Sequence, residues 1–481
     1  MDPFRRRLNS RKAIFPQVLP YFILIFIILV LAIIKDGLHN QKFNSHLSKL
    51  ENQSSAGSSH LTKAVHYYNT VFQRLMAEGF LLPSSKALFI ESISGHDVMA
   101  LRNIGVIDAF GISEAALRAS EHGLNHDPFH NNTFDFEFFG YSSWFDWSVH
   151  PSETIAQICR TLKVGGYLVV HIAVNDEYTY NSFINLFTCF TLKASRDIKF
   201  KEFALPSLHE FVLKKANKHS SPSQLESSDK CKVPKYKRDL IDDLEPLVME
   251  EPQDSWSWDG LGKNADGIQY LSSMVDLRYK ERHIYVDLGA RNYDSSIGSW
   301  FEKQYPKQNK TFEVYAFEAD KSFYGEYEGK KGVKLMPYAA WVRNETLSFE
   351  IDREPDNVGL QWAEMGRIQP KQLSTEDREN IDKVYKVEAL DLADWLIRTF
   401  SKRDFVVMKM DIEGSEFDLM NRLVESGAFC LIDELFLECH YDRWIKCCSG
   451  EKTNRHKRSY AQCMNLYAKL RKDGCFVHQW W

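Results

Sequence analysis

Residues 406–417 read V-V-M-K-M-D-I-E-G-S-E-F, an apolar run that is followed by acidic residues. The apolar run Phe405–Met408 has the length of a buried strand, and it ends where charged residues begin. Asp411 and Glu413 follow closely. A strand that ends at acids places them at the carboxyl edge of a sheet, which is where open α/β sheets bind their ligands. The stretch therefore predicts a ligand site at a sheet edge.

A second strand end lies upstream, where residues 283–290 read H-I-Y-V-D-L-G-A and the apolar run ends at Asp287 and Gly289. In the first stretch, Ser415 and Asp418 have the spacing of a capping box, which predicts that a helix begins there. Two strand ends of the same design are hard to explain by packing alone. They indicate an α/β region whose strand ends carry chemistry.

Length and composition set the broad class. A chain of 481 residues predicts two or three domains, and 44% hydrophobic with 26% charged residues is typical of a globular protein. The net charge is −5, and basic residues cluster only near the N-terminus. This charge distribution argues against nucleic acid as a partner.

The N-terminal segment Val18–Ile34 carries no charge and is long enough to span a thin bilayer. Its amino side is basic, with Arg5, Arg6, Arg7, Arg11 and Lys12. The positive-inside rule predicts a cytoplasmic tail over 1–17, a transmembrane signal anchor over 18–34 and a lumenal remainder, as in a single-pass type II protein of the Golgi or endoplasmic reticulum membrane. A cleaved signal peptide is the competing interpretation, but no small-x-small cleavage site follows closely.

Four glycosylation sequons agree with a lumenal location, at Asn52, Asn131, Asn309 and Asn344. Nine cysteines permit an oxidising compartment, and an odd number leaves at least one unpaired. Four of them cluster near the C-terminus and suggest a local bridge: Cys447, Cys448, Cys463 and Cys475. The adjacent pair lacks metal-ligand spacing, so no metal site is predicted.

Strand and helix patterns divide the lumenal part. Residues 35–60 are polar and predict a stem. Strands and helices alternate over 61–215 and again over 281–481, and 216–280 has the composition of a linker or wrapping segment, in part disordered. The prediction is an α/β protein with two tandem Rossmann-like, doubly wound sheets behind one transmembrane helix.

In the second region the first strand ends at Asp287 and the next ends at Glu318. An acid at the end of the second strand commonly accepts hydrogen bonds from both hydroxyls of a ribose, which indicates an adenosine-containing cofactor. The turn after Gly289 lacks the glycine triplet that holds a pyrophosphate. S-adenosylmethionine, which has no phosphate, fits this pattern better than a dinucleotide.

Six segments of the second region together resemble the FkbM family of S-adenosylmethionine-dependent methyltransferases. They read Y-V-D-L-G-A, Y-A-F-E-A-D, L-M-P-Y-A-A-W, V-E-A-L-D-L-A-D-W-L, V-V-M-K-M-D-I-E-G-S-E-F and I-D-E-L-F-L-E-C-H, within residues 283–440. The resemblance implies the following roles: Asp287 and Gly289 at the methionine end of the cofactor, Glu318 at its ribose, Ala339 beside its adenine, and Lys409, Asp411 and Glu413 facing the methyl group and the substrate. Tyr293 stands where family members usually keep a second glycine.

Transfer of a methyl group to a hydroxyl requires a general base within hydrogen-bond reach. Asp411 is the first candidate, and His440, which follows the next strand at the same sheet edge, is the second. Glu438 is expected to orient one of them. The structural interpretation of Asp411 and Glu413 is an acid pair favoured by the dipole at a helix start, and that of His440 is a histidine of the core or surface.

The first region resembles class I methyltransferases in two strands, F-D-F-E-F-F at 134–139 and the one within T-L-K-V-G-G-Y-L-V-V-H at 161–171. It lacks a D-x-G turn, and its second strand ends at Ile112 in place of an acid. We expect a degenerate domain that has kept the fold and lost the cofactor.

The sequence therefore predicts a membrane-anchored methyltransferase that uses S-adenosylmethionine and modifies a sugar or glycan hydroxyl. The alternative is a non-catalytic scaffold that binds a glycan or a partner protein, favoured by Tyr293 and by the degenerate first domain. A glycosyltransferase is a weaker third option, because no D-x-D motif precedes a nucleotide-sugar pocket.

Overall fold

The structure is a computed structural model. It describes residues 57–90, 95–112, 129–140, 151–174, 176–198, 208–216, 235–251, 267–351, 366–368, 384–442 and 454–480. The predicted tail, anchor and stem lie outside these residues, except for 57–60 at the end of the stem. Within the described part of the chain, none of the helices is long and apolar enough to cross a membrane.

The chain divides into two compact units, 1–84 with 92–109 and 85–91 with 110–481. The described part of the first unit contains helix α1 (Gly57–Ala77) and helix α2 (His96–Asn103). The apolar residues Val71, Phe72 and Leu75 of α1 are buried and lie on one face of the helix. The chain leaves α1 at Gly79, whose φ of 78° suits a glycine.

The second unit contains two six-stranded sheets and one four-stranded sheet. The first sheet consists of β1 (Ala87–Ile90), β2 (Ala109–Ile112), β3 (Phe134–Phe139), β4 (Leu162–Ala173), β5 (Phe190–Ile198) and β6 (Leu208–Lys215). Helix α3 (Pro151–Thr161) precedes β4, and α4 (Glu177–Ile184) follows it.

The strand order in the first sheet is β2-β1-β3-β4-β6-β5. Strands β1, β3 and β4 are parallel, whereas β6 is antiparallel to both β4 and β5. Only residues 199–207 connect β5 to β6, and a parallel pairing would require a longer crossover. The sequence predicted a doubly wound sheet here. That prediction is wrong for the half of the sheet that contains β5 and β6.

The second large sheet holds the predicted strand ends. Its strands are β7 (His283–Leu288), β8 (Glu313–Phe317), β9 (Val333–Met336), β14 (Phe405–Met410), β15 (Glu434–Glu438) and β16 (Phe476–Trp480). All are parallel, in the order β16-β15-β14-β7-β8-β9. This is the doubly wound order, in which the strand sequence reverses between β7 and β14 and creates a crevice at their carboxyl ends. The α/β fold and the parallel sheet are confirmed.

Helices cover this sheet because its strands are buried on both faces. Each residue of β7 and of β14 is buried, as expected for central parallel strands. The covering helices include α7 (Leu392–Thr399), α8 (Glu416–Ser426) and α9 (Tyr460–Lys472). A π-helix spans Ile297–Phe301, and a 3₁₀-helix spans Lys321–Tyr327.

A four-stranded sheet that the sequence analysis did not predict lies between β9 and α7 along the chain. Its strands are β10 (Ala339–Trp341), β11 (Glu345–Ile351), β12 (Gly366–Ile368) and β13 (Val384–Asp391). They pair in the order β10-β13-β11-β12.

Part of the predicted linker is structured. It contains helices α5 (Lys235–Asp242) and α6 (Leu271–Met274). Glu245 contacts His478 of β16 at 2.9 Å, and the Val248 amide donates to Gln479 at 2.6 Å. Residues 235–251 are therefore fixed to the edge of the second sheet.

Candidate functional site

The site lies at the carboxyl ends of β7, β8, β14 and β15. Lys409 on β14 is the register partner of Asp287 on β7, so the two side chains meet across neighbouring strands. Asp411 follows β14, and His440 follows β15. The fold thus brings together residues from three separate segments of the chain.

Asp287 is completely buried. Its Oδ2 accepts hydrogen bonds from the Ser296 hydroxyl and, at 3.3 Å, from the Tyr285 hydroxyl. Its Oδ1 has no hydrogen bond and lies 3.6 Å from Nζ of Lys409. Burial raises the pKa of Asp287, and the nearby Lys409 ammonium opposes that shift only in part.

Lys409 is a buried cation between two acids. Its Nζ donates to Oδ2 of Asp411 at 3.2 Å, opposite the contact to Asp287. Burial lowers the pKa of Lys409, but the neighbouring carboxylates Asp411 and Asp287 outweigh this and raise it above its usual value. Lys409 therefore keeps its charge, and its contact with Asp287 links β14 to β7.

Glu413 lies in the turn between β14 and α8, where its backbone has a left-handed φ of 48°. Such a conformation is uncommon for a residue other than glycine and costs free energy. Strained residues of this kind are concentrated at functional sites. Burial raises the pKa of Glu413 to about 7, although the neighbouring His440 lowers it. Its carboxylate Oε2 lies 3.4 Å from Nε2 of His440.

His440 is buried beside four carboxylates. Its Nδ1 forms a 2.9 Å hydrogen bond with Oε1 of Glu416. Its Nε2 lies 3.4 Å from Glu413, 3.7 Å from Glu438 and 3.8 Å from Asp411. Burial lowers the pKa of His440, but these acids, Glu413 and Glu416 first, raise it well above its usual value. The interpretation of His440 as a surface residue is wrong, since it is 3% exposed.

Glu416 is a site residue that the sequence analysis missed. Its Oε1 accepts from the amides of Ile412 and Gly414 at 3.2 and 3.1 Å, in addition to its contact with His440. The predicted capping box is wrong, because the Ser415 side chain forms no capping bond. Glu416 binds the free amides of the turn instead.

Glu318 lies directly after β8 and is 8% exposed. Its two oxygens accept hydrogen bonds from the backbone amides of Arg291 and Asp320, each at 2.6 Å. Burial raises the pKa of Glu318 to about 7 against the effect of these amides. A carboxylate offers about four acceptor positions, so about two remain for a ligand.

Gly289 brings the loop after β7 against the loop after β14. Its φ is +76°, and a Cβ at this position would collide with the carbonyl oxygen of Asp411. A side chain is therefore excluded both by backbone conformation and by space. The same glycine donates to the carbonyl of Phe317 at 3.1 Å, so it also fixes the loop to β8.

Tyr293, at the expected glycine position, packs along the π-helix. Its hydroxyl donates to Glu302, and its ring lies against Gly298, where a Cβ would approach the ring within 2.7 Å. Lys330 lies over the ring, with Nζ 3.7 Å from its centre. Gly298 thus provides the space that the larger side chain needs.

Ala339, the predicted adenine neighbour, belongs to the four-stranded sheet and is buried. It is part of a small apolar cluster against which Ala319, the residue after Glu318, packs. The first residue of β10 is thereby linked to the end of β8.

Three of the four sequon asparagines lie in the described residues, and Asn131, Asn309 and Asn344 are all exposed. Cys463 is bonded to Cys439, and Cys475 is a free, buried thiol. The predicted local bridge among the C-terminal cysteines is therefore wrong for these two. The Cys439–Cys463 disulfide fixes the residue before His440 to α9.

The profile of a domain of unknown function, DUF7870, matches residues 241–350 and 365–481. No curated protein matches the chain.

Solved structures that resemble the chain include S-adenosylmethionine-dependent methyltransferases. One is a complex of the Haloferax volcanii Trm112 activator with a putative methyltransferase, at 14% identity over 28% of this chain and 84% of that one, with a TM-score of 0.23. Another is a methyltransferase from Aquifex aeolicus, at 13% identity over 30% of this chain and 89% of that one, with a TM-score of 0.23. A third is a possible histamine N-methyltransferase from Thermotoga maritima, at 15% identity over 35% of this chain and 99% of that one, with a TM-score of 0.22. At these TM-scores the resemblance adds no weight to a function, which has to come from the site residues.

Proposed function

We propose that the carboxyl edge of the second sheet binds S-adenosylmethionine and that the protein is a methyltransferase acting on a hydroxyl of a sugar or glycan. The observation that carries the proposal is Glu318. It is a buried acid at the end of the strand next to β7, held by two amides and left with free acceptor positions. A ribose is the ligand that this arrangement suits.

The residues present fit the cofactor at two further points. The buried Oδ1 of Asp287 has no hydrogen-bond partner, so it can accept one from a bound ligand. Gly289 keeps the loop after β7 close to the strand ends. Glu318 would hold the ribose, Ala339 would flank the adenine, and Asp287 with Gly289 would line the methionine end. When bound, the cofactor supplies an electrophilic methyl group.

Electrostatics favour Asp411 over His440 as the general base. Burial alone would raise the pKa of Asp411, but Lys409 and His440 hold it below its usual value. Asp411 is therefore a carboxylate at neutral pH and can accept the proton of a hydroxyl. His440 keeps its own proton, because the surrounding acids raise its pKa. Its proposed role is to position and neutralise the acids around it.

Titration of the full-length protein in detergent with S-adenosylmethionine, followed by calorimetry, tests the proposal. We expect the wild-type protein to bind and Glu318→Gln to bind at least about tenfold more weakly, the loss of roughly one charged hydrogen bond. Glu313→Gln is the matched control, because Glu313 lies at the other end of β8 and pairs with Arg282 and Lys334. No heat of binding from folded wild-type protein would refute the proposal.

A non-catalytic scaffold remains the second candidate, and one observation favours it. Asp287 is 0% exposed, and one of its oxygens is satisfied by Ser296 and Tyr285, as in a structural acid. A scaffold would show no cofactor binding but would bind a glycan or protein partner. The same calorimetric titration therefore separates the two functions.

The cellular setting of the proposal rests on the sequence. A type II anchor at Val18–Ile34 would place the site in the lumen of the Golgi or endoplasmic reticulum. Glycosidase treatment of the protein from cells should then increase its mobility, and the triple variant Asn131→Gln, Asn309→Gln, Asn344→Gln should lose most of that change. An unaltered mobility would place the site outside the secretory pathway.

A further inference from the structure

We infer that Asp411, Glu413 and His440 form a binding site for a divalent transition-metal ion. Their ligand atoms all lie within 4.8 Å of one another. The inference concerns cation binding, and it stands whether or not the neighbouring residues bind S-adenosylmethionine.

The spacing around Nε2 of His440 suits shared ligation better than hydrogen bonding. The carboxylate oxygens of Glu413 and Asp411 lie 3.4 and 3.8 Å from this nitrogen. A hydrogen bond between such groups is normally about 2.7–3.2 Å long. Ligands that are each about 2.0–2.2 Å from one ion lie roughly 3.0–3.5 Å apart in ordinary geometries. A small closure of the side chains would therefore complete a coordination sphere.

The imidazole is held as in known metal sites. Its Nδ1 is bonded to Glu416 at 2.9 Å, and Glu416 is itself fixed by the amides of Ile412 and Gly414. A metal-bound histidine characteristically donates its other N–H to a carboxylate, which sets the tautomer and orients the ring. With Nδ1 as the donor to Glu416, a cation that displaces the Nε2 proton would meet the Nε2 lone pair between Asp411 and Glu413.

A second observation is the position of the imidazole among the acids. His440 is 3% exposed, and within the described residues its Nε2 lies 3.4, 3.7 and 3.8 Å from carboxylate oxygens of Glu413, Glu438 and Asp411. These distances exceed those of ordinary hydrogen bonds. A bound cation would be contacted by the nitrogen and the carboxylates together.

The local charge also favours a cation. Among the described residues, five carboxylates surround the two basic side chains Lys409 and His440. The acids are Asp287, Asp411, Glu413, Glu416 and Glu438. Because buried like charges repel strongly in a medium of low dielectric constant, a divalent ion would stabilise this cluster.

The ligand set indicates the class of ion. One imidazole with carboxylates suits Mn²⁺, Zn²⁺ or Fe²⁺. Mg²⁺ and Ca²⁺ prefer oxygen ligands throughout, so they should bind more weakly. The sequence analysis placed Asp411 and His440 at one sheet edge but did not predict a metal site, because Glu413 and His440 are separated by all of α8 and β15.

Titration of the full-length protein with Mn²⁺ tests the inference, with the free-ion signal in electron paramagnetic resonance as the readout. We expect one ion per chain with a dissociation constant below about 1 mM, and we expect Zn²⁺ to displace it. Glu413→Gln and His440→Gln should each weaken binding at least about tenfold, and Glu416→Gln, which acts through the imidazole, about tenfold. Asp418→Asn, a substitution of an acid on α8 that pairs with Arg455, should bind like the wild type.

The outcomes separate the possibilities. The melting curve of each variant is recorded first to show that it is folded. If His440→Gln fails to fold, Glu413→Gln becomes the decisive variant. Wild-type protein that leaves Mn²⁺ free at 1 mM overturns the inference, and so does binding that Glu413→Gln and Glu416→Gln leave unchanged. Glu318→Gln should bind Mn²⁺ normally, so metal binding without S-adenosylmethionine binding would refute the proposed function alone.

Discussion

The two six-stranded sheets use buried charge differently. In the first sheet the charged side chains lie within the strands: His171, Glu210 and Arg196 are register partners across β4, β6 and β5, and His171 contacts Glu210 at 2.8 Å. The second sheet has one such pair, Glu434 of β15 with His478 of β16 at 3.0 Å, but the acids of its candidate site come at or near the carboxyl ends of parallel strands, as Asp411 does. A charge paired inside a sheet stabilises the fold, whereas charges collected at an edge can act on a ligand. Position in the strand distinguishes the two roles.

The largest effect that tests this comparison is on catalysis. Asp411→Asn should lower the rate of methyl transfer about 100- to 10,000-fold, because it removes the general base and keeps the shape of the side chain. Transfer of labelled methyl groups from S-adenosylmethionine to a panel of glycans measures it. Asp418→Asn is the control, and full activity in Asp411→Asn would assign the base to another residue.

In the first sheet a comparable change should affect stability. Glu210→Ala should lower the free energy of unfolding by about 3–5 kcal/mol, because it removes a fully buried acceptor shared by His171 and Arg196. Urea denaturation measures the loss. Below the transition, the variant should bind S-adenosylmethionine like the wild type, and a selective loss of binding would remove the distinction between the sheets.

A smaller effect concerns pH and Glu318. Its pKa is raised from 4.5 to about 7, so the carboxylate that a ribose needs is lost below pH 7, and cofactor affinity should fall about tenfold per pH unit there. For stability the sign is opposite. Since the native state binds this proton more tightly, the contribution is complete below pH 4.5 and is lost as the pH rises through about 7, by up to about 3 kcal/mol.

Glu318→Gln should remove both dependences. Calorimetric titrations with S-adenosylmethionine and urea denaturation, each between pH 4.5 and 8, compare the variant with the wild type. A cofactor affinity that falls equally in both proteins would assign the pH dependence to another group.

The smallest effect is expected at Glu137, which is buried within β3 and bonded to the Thr161 hydroxyl. Burial raises its pKa to about 8, so the side chain is mostly uncharged at pH 7. Glu137→Gln should therefore change the free energy of unfolding by less than about 1 kcal/mol near pH 4.5, measured by urea denaturation. As the pH rises from 4.5 to about 8 the wild type should become the less stable protein, because the unfolded chain releases a proton that the buried side chain retains. A large loss at pH 7 would show that the charged form matters.

Much of the second sheet could be predicted from the sequence, because its strands are continuous apolar runs that end at acids. Asp287, Glu318 and Asp411 were found in this way, and the structure places each at a strand end. The antiparallel half of the first sheet was missed, since the length of a connection decides strand direction and local patterns do not report it.

The partners of the site residues were harder to predict. Glu416 contacts His440, which is 24 residues away, and the local spacing of Ser415 and Asp418 suggested a different cap. Tyr285 carried a usable signal, because it lies two residues before Asp287 on the same face of the strand. The Ser296 contact depends on how the π-helix begins, which sequence periodicity does not define.

The position of Gly289 determines how substitutions in the two loops of this site affect one another. The glycine touches the carbonyl of Asp411, so the loop proposed to hold the cofactor and the loop that carries the base have a common contact surface. A larger residue at 289 would meet the carbonyl oxygen of Asp411, so it would push the two loops apart and displace the base together with the cofactor loop. Substitutions at 289 and at 411 should therefore be epistatic, and a lineage that changes one of these loops has to adjust the other.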